Sequence, residues 1–596
     1  MRKVTFEGRI EELRSVANLA IVLNILNVII FLTFLIGEMK IARVIYSFFA
    51  VLGMLALWIY MRNFLHPKSS QIKIISLQQV AIFAIVCFQL SYILKFQDWS
   101  WDGLWYHSPA ARIWSRELDF TNLYPSSFAN SYPGSTATFQ AIIWHFMPNA
   151  PSQIGNFLLF LVILILIRKL LLGLGMPSKI AESALLVFTI TPTVFSQSMT
   201  SYNDVIFGAI AFVSISLGVK YYEYGDKNLL FGALSLSSLA ASVKYQGVVL
   251  FAFTLAFLFF RLKSTHKEIG NFPTKQETTF GFNGILALVA ILLAGFIWEI
   301  KNWFNYGNPL YPFDFGVGPL VLVRGPLGSP NSAFLNNESA LAGFQNSPLS
   351  FIQAAWHFTP NFTYDARQGG FGILWPFILL AAFVFLLKVR GSFQIILLAS
   401  LLFTLITPAN WWPRYQIHLF LAAITICFHM FSGKSKFRDL SRKLVISASV
   451  IQLLIYIPFV GPYPNFFPQP TNVESFKTPW ENQEFTEELF SIPTNGQMPI
   501  APELSVISKS EGKDIAFWWI EPLILPLLGT GDGNRITEIT GTRNGIKKQI
   551  EKIRPKYFVT RQDLTKVEVP PECALKEVGV TGIYNAKIFE CDWRLR

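Results

Sequence analysis

Apolar runs close to bilayer-spanning length recur along this chain from about residue 17 to about residue 461. A helix needs about 20 such residues to cross a hydrocarbon core. The runs lie at about 17–37, 41–61, 75–95, 154–172, 180–198, 203–222, 228–242, 245–262, 283–303, 371–388, 393–408, 412–432 and 442–461. They predict an all-α polytopic membrane domain of about 13 transmembrane helices. Composition agrees: 52% of the 596 residues are hydrophobic and 14% are charged, against about 25% charged in soluble domains. The first run is too long for a signal-peptide core and lacks a small-residue cleavage site, so it reads as a span.

A net charge of +12 could point to nucleic acid, but in a polytopic chain basic residues more commonly follow the positive-inside rule. With a cytoplasmic N-terminus, one set of loops holds about 23 Lys and Arg residues and the opposite set about 8. That bias fixes an orientation and removes nucleic acid from the expected partners. The expected regions are a membrane domain at 1–461, interrupted by external loops at about 96–153 and 304–370, and an extracytoplasmic soluble tail at 462–596. Cys87 and Cys427 lie inside spans as packing residues. Cys573 and Cys591 lie in the tail, where an oxidising compartment would permit a disulfide.

The first external loop is rich in aromatics, Trp99, Trp101, Trp105, Tyr106, Trp114, Tyr124 and Tyr132. These suit either a belt at headgroup depth or a sugar-binding platform. After a Pro-rich linker at 458–470, short alternating patterns predict strands at 515–520, 535–539, 557–560 and 583–590 and a helix at 545–553, an α/β domain. The glycine run at 529–533 lacks the spacing of a phosphate-binding loop and reads as a turn.

Polar residues that are costly near a membrane gather on the external side. Asp102, Tyr106 and His107 follow the third span, and Asn203 and Asp204 open the sixth. Lys244 and Tyr245 occupy a tight turn, Asn308 and Tyr311 follow the ninth span, and Arg414 opens the twelfth. Any one could be a snorkelling helix-end residue; their shared sidedness favours a site. A carboxylate just outside a span suits a general base acting on a hydroxyl, and Asp102 is the candidate. Lys244 and Arg414 suit stabilisation of a departing phosphate. Asp204 could hold a cation or position an acceptor, and His107 could contact phosphate or share a divalent ion with Asp102. Structural zinc and a serine-hydrolase elbow have no matching pattern.

Asp-Gly-Leu-Trp-Tyr-His-Ser-Pro at 102–109, Ser-Tyr-Pro-Gly at 131–134, Asn203-Asp204, Val243-Lys244-Tyr245, Gly-Asn-Pro-Leu-Tyr-Pro-Phe at 307–313 and Arg414-Tyr415 together resemble the bacterial GT-C membrane glycosyltransferases related to protein O-mannosyltransferases and aminoarabinose transferases. The resemblance spans about residues 75–430. It implies a multi-pass protein of the bacterial inner membrane. It also implies a polyprenyl-phosphate sugar donor, a glycan, lipid or protein acceptor on the external side, and inversion at the anomeric carbon. Asp102 matches the family's first-loop acidic residue, the base, and Asp204 a second acidic position. Lys244 and Arg414 match the donor-phosphate contacts, and Tyr106, His107, Tyr245 and Tyr311 fall in the substrate-binding motifs. The family's neighbouring acidic pair is absent, since Trp101 and Gly103 flank Asp102, which leaves open whether a divalent metal takes part. A lipid-linked sugar flippase or other transporter is the alternative, although no internal repeat is visible and the candidates sit at the boundary rather than the midplane. A polysaccharide polymerase or ligase, and a non-enzymatic scaffold, stand behind it.

Overall fold

A computed structural model describes residues 6–36, 76–95, 98, 100, 102–117, 120, 130–147, 150–264, 282–317, 320–325, 370–372, 374–388, 391–407, 412–432, 435–456, 513–518, 535–538, 543–561, 568–580 and 585–595. The fold is a polytopic helical bundle. Its helices are α1 (Phe6–Ile36), α2 (Leu77–Lys95), α3 (Ser108–Glu117), α4 (Ser135–Phe146), α5 (Ile154–Gly173), α6 (Ser178–Thr189), α7 (Pro192–Gln197) and α8 (Asp204–Tyr224). There follow α9 (Lys227–Val243), α10 (Gln246–Ser264), α11 (Phe282–Gly295), α12 (Ile297–Tyr306), α13 (Trp375–Leu386), α14 (Ser392–Ile406), α15 (Ile417–Met430) and α16 (Lys436–Tyr456).

Among the described residues, α1, α2, α5 and α8 are long and apolar enough to cross a membrane, and α11 with α12 makes a fifth if this pair, bent by 57°, is one span. Shorter apolar helices include α9, α13 and α14. The span expected at 41–61, most of the loop expected at 304–370, the Pro-rich linker and the glycine turn at 529–533 lie outside the described residues. The span expected at 180–198 is divided into α6 and α7. The cause is Pro192, which opens α7 where a missing N–H costs nothing. Large apolar side chains point outward from α2, α11, α13 and α14, among them Phe83, Phe88, Leu286, Leu293, Phe377, Leu380 and Leu402, as lipid-facing surfaces require.

Helix α8 is the axis of the bundle: every residue from Asp204 to Tyr221 is buried. It packs along α9, α10, α15, α5 and α14. Lipid offers no hydrophobic drive between helices, so close contact depends on small residues. A Cβ at Gly208 would lie 2.6 Å from Ile417 Cβ on α15, and one at Gly232 of α9 would lie 2.5 Å from Ala17 on α1. Ser214 donates across to the Ala233 carbonyl at 2.8 Å, and Ser238 to the Ile291 carbonyl at 2.9 Å. At the ends of the helices remote from the long loops, buried Glu182 accepts from Ser76, Gln79 and Ser178 and pairs with Arg168 at 3.1 Å.

At the loop end, an aromatic cluster ties the first long loop to α1 and α12. Trp114 lies 5.8 Å from Trp298, Phe31 lies 5.4 Å from Trp298, and Phe120 touches all three. Lys301 donates to the Asn130 carbonyl at 2.6 Å with its ammonium over Trp298. Two short strands, β1 (Phe315–Val317) and β2 (Leu320–Val323), pair antiparallel beyond α12.

In the tail, β3 (Asp514–Trp518), β4 (Arg535–Glu538), α17 (Arg543–Ile553), β5 (Tyr557–Arg561), β6 (Cys573–Val580) and β7 (Asn585–Cys591) are described. The sheet runs β4-β3-β5-β7-β6, with β3 parallel to β4 and β5 and the remaining pairs antiparallel. Ile546 and Ile550 of α17 pack on Phe558 and Phe589. Cys573 and Cys591, opposite each other on β6 and β7, form a disulfide. Strand β6 escapes the sequence pattern because a register shift between Leu575 and Glu577 breaks its alternation. Ile515, Tyr557 and Val559 share a buried cluster with Trp114 and Trp144 of the loop.

Gly208→Val forces α8 from α15 at a site with no room for the branch, and overpacking of this kind costs roughly 1–3 kcal/mol. The detergent-solubilised variant should unfold at a lower temperature than wild type; an unchanged unfolding temperature would contradict the packing described.

Candidate functional site

Four elements deliver four charged side chains to one place. Helices α8 and α9 are joined by a short turn at Gly225 and run antiparallel, so the start of α8 lies beside the end of α9. The start of a helix favours an anion and its end a cation. Asp204 opens α8 and Lys244 closes α9, and the two form an ion pair with both side chains almost fully buried. Asn203 donates to the Val243 carbonyl at 3.0 Å and satisfies one of the last acceptors of α9. Gln197 donates to Asp204 Oδ2 at 3.3 Å.

Arg414 enters from the one-turn 3-10 helix at Pro413–Gln416, ahead of α15. Its Nη1 stands 3.6 Å from Asp102 Oδ2 and its Nε 3.8 Å from Asp204 Oδ2, ion-pair distances longer than a hydrogen bond. The guanidinium lies over Trp412 at 4.8 Å, Tyr202 at 5.0 Å and Tyr415 at 5.3 Å, while the Lys244 ammonium stands 4.0 Å from the Tyr415 ring. The quartet holds two negative and two positive groups. Asp102 is the accessible member, at 16% side-chain exposure against 1–3% for the other three.

Asp102 immediately precedes a π-helix at Gly103–His107, which carries Tyr106 and His107. Such wide turns recur at functional sites. Tyr106 stands 4.2 Å from the His107 ring and 5.3 Å from Tyr132, and Tyr132 stands 5.3 Å from Tyr245. The Tyr245 hydroxyl shares its one proton between the Ser131 carbonyl, at 2.8 Å, and the Tyr311 carbonyl, and accepts from Asn302. The Tyr106 and Tyr132 phenols are driven well above their ordinary range, chiefly by burial, and stay protonated donors. Burial, with the positive charge of Lys244 and Arg414, lowers His107 to about 3, so its imidazole is neutral. His107 Nε2 is buried without a hydrogen-bond partner among the described residues.

Of the residues singled out from the sequence, Asp102, Asp204, Lys244 and Arg414 are brought together. Tyr106 and His107 flank them, linked through Tyr132 to Tyr245. Tyr311 differs: its carbonyl meets Tyr245, but its ring stacks on Tyr306 at 4.2 Å and serves the turn after α12. For a metal, no group of three His, Cys, Asp or Glu side chains comes together among the described residues. The sequence reading missed Gln197, Tyr202 and Tyr415 as the supports of Asp204 and Arg414. Tyr202 and Tyr415 adjoin residues it had picked, whereas Gln197 carries no signal of its own.

No family model matches the chain, and no curated protein matches it either. Among solved structures, ArnT from Cupriavidus metallidurans in the apo state superposes with a TM-score of 0.50 at 12% identity, over 86% of this chain and 98% of that one. The fold is GT-C. ArnT from the same organism bound to undecaprenyl phosphate gives a TM-score of 0.47 at 11% identity, over 85% of this chain and 97% of that one. At these identities the likeness concerns fold. The bundle sets the quartet at the loop end of its helices, beside the first long loop.

Two measurements probe the electrostatics. Lys244→Met strips Asp204 of its direct counter-ion, a loss that costs about 3–5 kcal/mol in buried pairs. It should lower the unfolding temperature sharply, and the double variant Lys244→Met with Asp204→Asn should recover part of the loss. For His107, a folded value of about 3 against 6.5 ordinarily means that the unfolded chain binds the extra proton between those values. The stability His107 contributes is present above pH 6.5 and is lost as pH falls toward 3. Unfolding temperature measured from pH 7.5 to 5 should therefore fall more steeply in wild type than in His107→Gln; parallel curves would overturn the assignment.

Proposed function

We propose that this chain is a membrane glycosyltransferase that moves a sugar from a polyprenyl-phosphate donor to an acceptor hydroxyl on the extracytoplasmic side, with inversion at the anomeric carbon. The observation that carries the reading is the balanced quartet of Asp102, Arg414, Asp204 and Lys244 at the loop end of a GT-C bundle. Asp102, the accessible carboxylate, is the base. The acceptor oxygen attacks the anomeric carbon and its proton passes to Asp102. The bond from that carbon to the phosphate oxygen breaks, and its electron pair leaves on polyprenyl phosphate. The phosphate gains negative charge in this step, and Arg414, which stands between Asp102 and Asp204 beside the base, is the cation proposed to meet it. Lys244 adds field from its pair with Asp204. His107 and the phenols of Tyr106 and Tyr132 offer neutral hydrogen-bonding groups for the sugar or phosphate, and Tyr245 holds the wall behind them. The donor's apolar chain stays in the bilayer, which favours a polyprenyl-linked donor over a soluble nucleotide sugar.

The wider reading is a protein of about thirteen spans in a bacterial inner membrane, with membrane domain 1–461, tail 462–596, a cytoplasmic N-terminus and an extracytoplasmic tail. The basic-residue bias supports that orientation, and the Cys573–Cys591 bridge fits a tail in an oxidising compartment. The acceptor class is a glycan, lipid or protein hydroxyl. A divalent ion beside Asp102 and His107 is tested by adding a chelator to the transfer assay.

Membranes carrying equal amounts of wild type or Asp102→Asn are supplied with synthetic polyprenyl-phosphate sugars and assayed for transfer. Loss of about 100-fold or more in the variant is expected for a general base. Equal transfer would remove Asp102 from that role, and lipid flipping without transfer by either protein would favour a flippase.

A further inference from the structure

Asp98 lies just ahead of the π-helix and is 2% exposed. Its Oδ1 accepts from the Ser100 amide at 2.9 Å, and its Oδ2 accepts from the Ser201 amide at 2.7 Å. Ser201 is three residues before Asp204 and adjoins Tyr202, whose ring underlies Arg414. The Ser201 hydroxyl also meets the Ser108 hydroxyl at 3.1 Å, at the far end of the π-helix. The chain passes so close over Asp98 at Gly103 that a Cβ there would collide with the Asp98 carboxylate and the Ser100 hydroxyl.

One carboxylate thus fastens the segment carrying Asp102 to the segment carrying Asp204. We infer that Asp98 is a positioning residue that sets the separation of Asp102 from Arg414 and Asp204, and hence the reach of the base toward the acceptor hydroxyl. The inference rests on the glycosyltransferase reading. Its chemistry explains why a carboxylate is used: both oxygens accept from backbone N–H groups at once. An Asn side chain would have to turn an NH₂ group toward one of those N–H donors.

The experiment compares wild type, Asp98→Asn and Gly103→Ala, each purified in detergent, in sugar transfer from a synthetic polyprenyl-phosphate donor and in hydrogen exchange of peptides spanning Ser100 and Ser201. Small misplacements of a reacting group cost about 100-fold in rate. Asp98→Asn should lower kcat by about that factor with little change in donor KM, and the acid limb of its pH–rate profile should stay where wild type has it. Gly103→Ala, which displaces the same segment with Asp98 intact, should reproduce the kcat loss and decides the matter if Asp98→Asn does not fold. Unchanged kcat in either variant overturns the inference. Disappearance of the acid limb in Asp98→Asn also overturns it, because Asp98 would then take the proton itself. If wild type transfers nothing, the glycosyltransferase reading fails, and exchange still tests the fastening. Faster exchange at both peptides in Asp98→Asn upholds it, and unchanged exchange removes it.

Discussion

A charge buried at the edge of a low-dielectric bundle persists only opposite a counter-charge, and the arrangement around Asp204 follows from that requirement. Lys244 can meet Asp204 only if α9 returns antiparallel along α8. Arg414 can sit between Asp102 and Asp204 only if α15 packs against the same end of α8. The close approach of Gly208 to Ile417 secures that second condition. Helix packing in the apolar layer and charge pairing at its rim are therefore one geometric problem solved jointly.

Aromatic rings complete the environment. Arg414 lies among Trp412, Tyr202 and Tyr415, and Lys244 faces Tyr415, so each cation meets π-faces as well as a carboxylate. This holds the cations in place without adding negative charge, and the quartet stays balanced. Tyr106, Tyr132 and Tyr245 extend the aromatic wall, and the Trp114, Trp298 and Phe120 cluster anchors the loop from which that wall begins.

Much of this was legible in the sequence because charged residues stand out against apolar runs. Asp102, Asp204, Lys244 and Arg414 could be picked for their sidedness alone. Antiparallel helices carry residues from turns and helix ends to one face whatever the details of packing. What could not be read depends on side-chain direction. Tyr311 lies in a suggestive motif, and only the structure shows that its ring stacks on Tyr306 while its carbonyl accepts from Tyr245. Gln197 sits among Ser196, Ser198 and Thr200, small polar residues that draw no notice, and becomes informative only once the break at Pro192 directs α7 toward Asp204. Asp98 was passed over because its role is to accept from two amides, one of them far along the chain, and composition leaves no trace of such a bond. In the tail, strands with regular alternation were visible and β6, with its bulge, was not.

Helix α8 bears on how such a chain is made. It is apolar enough to enter a bilayer, yet it carries Asp204, Ser214, Ser216 and Lys220 and ends up with no lipid-facing side along Asp204–Tyr221. Its early neighbours, α9 and α10, follow directly, but α14 and α15 are separated from it by α11 to α13 and the long segment between α12 and α13. During synthesis α8 must therefore wait in a partly covered state until distant helices arrive. Closure of the core, and with it assembly of the site, belongs to the late, long-range stage of folding.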